Sequence, residues 1–175
     1  RRGVSLTSAL VPFEWKGHKI NLIDTPGSPD FLVEAATALR VVDLAVFVVS
    51  AVDGVQPGTR RLWREAAALK IPRLIFVNKL DREGRDPFDI LDELEQELKI
   101  GVRPLSWPIN IGAKFKGVYN IYENGLDLFT PSKQTISERI EIDDVNSKVV
   151  DELVGEADAA KLREDRIEAV ADIRE

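Results

Sequence analysis

The spacing of apolar residues changes repeatedly along the chain, and each change predicts an element. Thr7 to Trp15 reads as an extended segment and His18 to Ile23 as a strand, with Lys16-Gly17 between them suited to a hairpin turn. From Pro29 to Val42 the period becomes helical, placing Leu32, Ala35, Ala36 and Leu39 on one face. Leu44 to Val49 is a continuous apolar run rich in β-branched residues, the pattern of a strand buried on both faces. Pro57 to Leu69 is helical again, with Pro57 placed near its start. Pro72 breaks the chain before a strand at Leu74–Val77. Asp86-Pro87 opens the next helix, Asp86 as cap and Pro87 at the first position, with Phe88, Leu91, Leu94 and Leu98 on its apolar face.

Strands alternating with helices through residue 100 predict an α/β fold, a parallel sheet with covering helices. In such sheets ligands bind at the carboxyl ends of the strands, which says where chemistry is to be sought. Beyond residue 100 the pattern changes. Val118 to Tyr122 and Leu126 to Phe129 flank Glu123-Asn124-Gly125, a strong hairpin signal. From Asp143 the chain is charged and helical, with Val149, Leu153, Leu162, Val170 and Ile173 at loosely helical spacing. This predicts a small helical appendage over residues 138–175, set against a main domain over residues 1–137.

Composition narrows the functional classes. The net charge of −6 is unevenly placed: residues 138–175 hold 13 acidic and 6 basic side chains, whereas the rest is nearly neutral. That is not the basic footprint of an autonomous nucleic-acid binder, so no DNA partner is expected. No apolar run approaches the roughly 18 residues of a membrane span, and no membrane partner is expected. Cysteine is absent, which excludes a disulfide framework, a thiolate metal site and a cysteine nucleophile.

Two motifs stand at predicted strand ends. Asn78-Lys79-Leu80-Asp81 follows the strand at 74–77. A carboxylate at Asp81 can accept hydrogen bonds from both the ring N–H and the exocyclic amine of guanine, a donor pair that adenine lacks. The aliphatic stem of Lys79 can lie along the flat base, and Asn78 can tie the loop together. Asp24-Thr25-Pro26-Gly27 follows the strand at 18–23. A carboxylate there can hold magnesium, often through water. Gly27 lets the backbone approach a terminal phosphate and donate its N–H. Alone, this second stretch is also good chemistry for a capped turn. The two motifs in this order and setting form a GTPase signature.

With these residues the chain resembles the translational GTPases. Arg2-Gly3-Val4-Ser5-Leu6-Thr7 is similar to the end of their first switch segment, with Ser5 standing where the family has a magnesium-binding threonine. Val52-Asp53-Gly54-Val55 resembles the stretch after their fourth strand. Phe13-Glu14-Trp15-Lys16 and Leu44–Val49 are more similar to the elongation factor G branch. Gly84-Arg85-Asp86-Pro87, Leu91–Glu95, Trp107-Pro108-Ile109 and Phe115–Tyr119 are more similar to the release factor 3 branch, the longer and more distinctive block. The resemblance implies a P-loop GTPase-type, mostly parallel sheet with helices on both faces. It also implies GTP or GDP with Mg2+ as ligands, action on the ribosome in the cytoplasm and, for release factor 3, a decoding release factor as partner. A monomer is expected.

Two features depart from the family pattern. No G-x-x-x-x-G-K-[ST] phosphate loop is present; Gly112 to Gly117 has the glycine spacing, but Val118-Tyr119 follows where Lys-Ser/Thr is required. The resemblance places that loop and its strand before Arg1 and a second base-binding loop after Glu175, so this stretch alone is expected to be inactive. The other departure is Ser28, which occupies the position where the family has a water-positioning histidine. The one histidine, His18, is expected to be an ordinary turn residue.

Overall fold

The computed structural model describes residues 5–130, 135–136 and 139–171. Arg2-Gly3-Val4, Ile173 and the expected domain boundary at 137/138 lie outside the described residues. The chain falls into two compact units, Arg1–Val49 with Val55–Val77, and Ser50–Gly54 with Asn78–Glu175.

In the first unit, β1 (Ala9–Trp15) pairs antiparallel with β2 (His18–Asp24), in register from Trp15 opposite His18 to Ala9 opposite Asp24. Lys16 and Gly17 both adopt left-handed φ, 48° and 77°. That is the two-residue turn whose twist matches the strands it joins, and Gly17 adopts it without steric cost. A 3₁₀ turn (Pro29–Phe31) leads into α1 (Leu32–Ala38), followed by β3 (Ala45–Ser50), α2 (Pro57–Ala68) and β4 (Arg73–Asn78). The expected helix over 29–42 is shorter than its apolar period suggests. Its end tightens into three-residue turns, with Arg40 N–H donating to Thr37 and Val41 N–H to Ala38, just ahead of the Val41-Val42 pair.

Strands β3 and β4 are neighbours in one sheet. Ala45 N–H donates to Pro72 and Ala51 N–H to Asn78, the same offset of 27 residues at both ends, so the pair runs parallel. Helix α2, the crossover between them, covers one face: Trp63 meets Phe47 edge-on at 4.9 Å, and the Arg73 guanidinium lies 4.4 Å from the Trp63 ring centre. The expectation that β3 is buried on both faces is not met within this unit. Ala45, Phe47 and Val49 are buried, while Val46 and Val48 stay 51% and 61% exposed.

The second unit begins beyond β4. Helix α3 (Pro87–Leu98) starts where the sequence predicts, with the Asp86 carboxylate accepting from Phe88 N–H at 2.9 Å and Pro87 in the first turn. Its buried stripe is Ile90, Leu94 and Leu98, with Phe88 and Leu91 half-buried beside it. Asp86→Ala is expected to lower unfolding free energy by about 1 kcal/mol, the usual worth of such a cap, read as a shifted urea midpoint at unchanged slope.

An antiparallel sheet follows: β5 (Ser106–Ile109), β6 (Gly117–Asn120), β7 (Gly125–Thr130), β8 (Thr135–Ile136) and β9 (Ile140–Glu141). The predicted hairpin is β6–β7, closed by Asn120 opposite Gly125. Gly117 is required where it stands: φ is 145°, and a Cβ there would collide with the Asp127 backbone of β7. Helices α4 (Lys148–Val154) and α5 (Glu156–Ala171) form the expected helical tail. They share one core with the strands, in which Val145, Val150, Val154, Ala159, Leu162 and Ala169 cluster with Trp107, Ile109, Tyr119 and Leu126. The buried face of α4 is one position on from the expected one, since Val150 and Val154 are inside while Val149 and Leu153 are partly exposed at its edge. Several polar groups around this core are paired: Trp107 Nε1 donates to Asp165 at 3.3 Å, Tyr119 Oη donates to Asn124 at 2.6 Å, and Arg163 grips Asp151 through two nitrogens at 2.9 and 2.8 Å.

Candidate functional site

The residues singled out in the sequence fall in both units. In the first, Asp24 is the last residue of β2, opposite Ala9 of β1. Thr25, buried Pro26, exposed Gly27 and Ser28 continue from it into the 3₁₀ turn. A Cβ added at Gly27 would meet nothing within 4 Å, so its backbone is open to approach. Ser28 has extended backbone angles (φ −71°, ψ 139°) ahead of Pro29; its carbonyl accepts from Phe31 N–H at 3.0 Å, but its hydroxyl makes no capping bond. His18 stands at the opposite end of β2 from Asp24, beside the hairpin turn, as expected. Ser5 is exposed, ahead of β1.

In the second unit, Asn78-Lys79-Leu80-Asp81 leaves β4 as a tight turn held at three backbone points. Ala51 N–H donates to Asn78 O at 2.9 Å, Gly112 N–H to Leu80 O at 2.8 Å, and Arg82 N–H to Lys79 O at 3.1 Å. The Asn78 side chain adds a fourth tie, its Oδ1 accepting from Lys79 N–H at 2.9 Å. Lys79 itself has a left-handed φ of 66°, a conformation that non-glycine residues adopt only when the surroundings fix it. The Asp81 carboxylate is exposed on this fixed turn. The glycine-spaced segment that lacks a phosphate-loop lysine therefore serves here as a buttress, through the Gly112 N–H.

Sequence reasoning missed the neighbours of Lys79. The turn after β3 folds back on itself, with Gly54 N–H donating to Ser50 O at 2.9 Å and the Ser50 hydroxyl accepting from Val52 and Asp53 N–H at 3.3 and 3.2 Å. It places the Asp53 carboxylate 3.6 Å from the Lys79 ammonium. The hydrogen bond with the Ser50 side chain holds the Asp53 carboxyl below its ordinary value; desolvation opposes this, and the charge of Lys79 adds to it. The available signal was positional, because Asp53 follows a strand's carboxyl end just as the two motifs do.

The family model for the elongation factor Tu GTP-binding domain matches residues 1–168. The chain belongs to that family. As a translational GTPase domain it is 41% identical over 165 residues to a peptide chain release factor 3 from Aromatoleum aromaticum, a match covering 94% of this chain and 30% of that protein. It is also similar to a solved structure from Thermus thermophilus, with a TM-score of 0.69 and 29% identity, covering 87% of this chain and 22% of that one. The chain thus spans under a third of the length of the curated relative it matches.

Ser5 and Asp24, the residues expected from the sequence to face magnesium, carry a hydroxyl and a carboxylate, hard oxygens of the kind that ion accepts. Among the described residues no three carboxylate, histidine or cysteine groups converge on a common point. No helix among the described residues is long and apolar enough to cross a membrane.

Proposed function

We propose that this domain binds GTP and belongs to a GTP-hydrolysing translation factor that acts on the ribosome in termination, releasing a decoding release factor after the peptide has left. The observation that carries the reading is the turn Asn78–Asp81, pinned at the end of β4 with an exposed carboxylate, in a chain 41% identical to a release factor 3. Asp81 would select guanine through two acceptor oxygens, the Lys79 stem would cover the base, and Asn78 would hold the turn, with Leu80 as the spacer. Asp24 and Ser5 would hold magnesium, which neutralises phosphate charge when bound. Thr25, Pro26 and Gly27 would bring a backbone N–H to the terminal phosphate, and Ser28 would stand beside the attacking water. In domain terms, residues 1–137 would form part of the nucleotide-binding domain and 138–175 part of an inserted helical subdomain, in a cytoplasmic protein.

The second reading is elongation factor G, favoured by Phe13-Glu14-Trp15-Lys16 and Leu44–Val49. The full-length protein, added with GTP to ribosomes that carry a decoding release factor after peptide release, distinguishes the two. Loss of the bound factor that depends on GTP is the expected result. Movement of messenger and transfer RNA without loss of the factor would select the elongation reading. Neither activity, in a protein that still binds GTP, would leave an interaction module with little hydrolysis.

A further inference from the structure

Asp53 lies outside the motif that names the base contacts, yet the structure builds a turn around it that ends on that motif. The turn is closed by Gly54 N–H on Ser50 O and by the Ser50 hydroxyl accepting from two successive N–H groups. It is joined to the base-recognition turn by Ala51 N–H on Asn78 O at 2.9 Å. Both the backbone carrying the carboxylate and the backbone carrying the lysine are therefore held by hydrogen bonds within the protein itself. Lys79 is further constrained by its left-handed φ and its N–H bond to Asn78. A long lysine side chain loses much rotamer freedom when it must lie flat along a base. Tethering its ammonium removes part of that loss in advance.

We propose that Asp53 is a positioning residue for nucleotide affinity: by holding the Lys79 ammonium at 3.6 Å it keeps the lysine stem in the plane that covers the guanine. This rests on the reading of Asn78–Asp81 as the base-binding turn. The tether acts on the base and not on the phosphates, so it strengthens GTP and GDP equally. The two side chains remain 40% and 55% exposed, which places the pair among surface ion pairs of modest strength.

The test uses the full-length protein and fluorescent GTP and GDP titrations at about 50 mM and 500 mM salt, with screening much stronger at the higher value. Asp53→Asn keeps shape and removes charge. It is expected to weaken both nucleotides by about 2–5-fold at low salt, with their ratio unchanged and the deficit shrinking at high salt. Asp53→Glu, which keeps the charge, is expected to recover part of the loss. In a Lys79→Met background, which keeps an unbranched stem without the ammonium, Asp53→Asn is expected to have no further effect. Wild-type affinity in Asp53→Asn at low salt would overturn the proposal. So would a deficit that persists in full beside Lys79→Met, or one confined to GTP. Asp81→Asn run in parallel separates the two levels: if it weakens GTP while Asp53→Asn does not, only the tether fails, and if neither does, the base-binding reading fails as well.

Discussion

In the full-length protein, Asp81→Asn is expected to weaken GTP by about 30–1,000-fold and to shift preference toward xanthine nucleotides. The estimate follows from losing a charge-assisted pair of hydrogen bonds, about 2–4 kcal/mol. The sign of the specificity change follows from donor and acceptor chemistry. Guanine presents two N–H donors to a carboxylate, whereas xanthine carries a carbonyl where guanine has its exocyclic amine and suits an amide that can donate. The structure makes the experiment clean. Asp81 is exposed on a turn whose backbone is held by Ala51, Gly112 and Arg82 N–H groups. The substitution therefore removes recognition without undoing the support beneath it. A titration showing unchanged GTP affinity would remove the base-recognition role from this turn.

Ser28→His is expected to raise single-turnover GTP hydrolysis on saturating ribosomes by roughly 10–1,000-fold while leaving GTP affinity nearly unchanged, a range that overlaps the roughly 100–10,000-fold of one positioned acid–base group. A serine hydroxyl is much shorter than an imidazole and cannot orient the same water from the same backbone position. It is also a poor base near neutral pH, where histidine titrates. Positioning and electrostatics carry most of phosphoryl-transfer catalysis, so the change belongs in the chemical step. The structure adds that the Ser28 hydroxyl is not spent on capping the 3₁₀ turn, so replacing it costs no cap. Equal single-turnover rates for the two proteins would mean that another group, such as Asp30 or one supplied by the ribosome, already orients the water.

Much of the first hundred residues was legible because local signals there agree with one another. The Lys16-Gly17 turn and the Asp86-Pro87 start are each fixed by backbone chemistry within a few residues, and each is found where it was expected. The less legible features depend on neighbours distant in sequence. A continuous apolar run at 44–49 reads as two-sided burial, but exposure is decided by what packs on each face, and within its unit β3 is covered on the face bearing Phe47. The doublets Val149-Val150 and Leu153-Val154 offer two helical faces one residue apart, and the shared core chooses between them. The short strand β5 was hidden by Pro108 in its middle, a residue that argues against a strand when read locally. At the candidate site the strand-end positions could be read from the pattern. The facing of Asp53 and Lys79, 26 positions apart, could not, because no local rule reaches that far.

The single core that joins α4 and α5 to β5, β6 and β7 bears on how this region can change over generations. Side chains in direct contact are selected together, since the effect of altering one depends on the size of the other. Substitutions at Trp107, Tyr119 or Leu126 would be answered at Val150, Val154 or Leu162, and the acidic helices could not be exchanged between relatives as an independent cassette. The segment that looks most like a detachable tail by composition is therefore bound to inherit alongside the strands it covers.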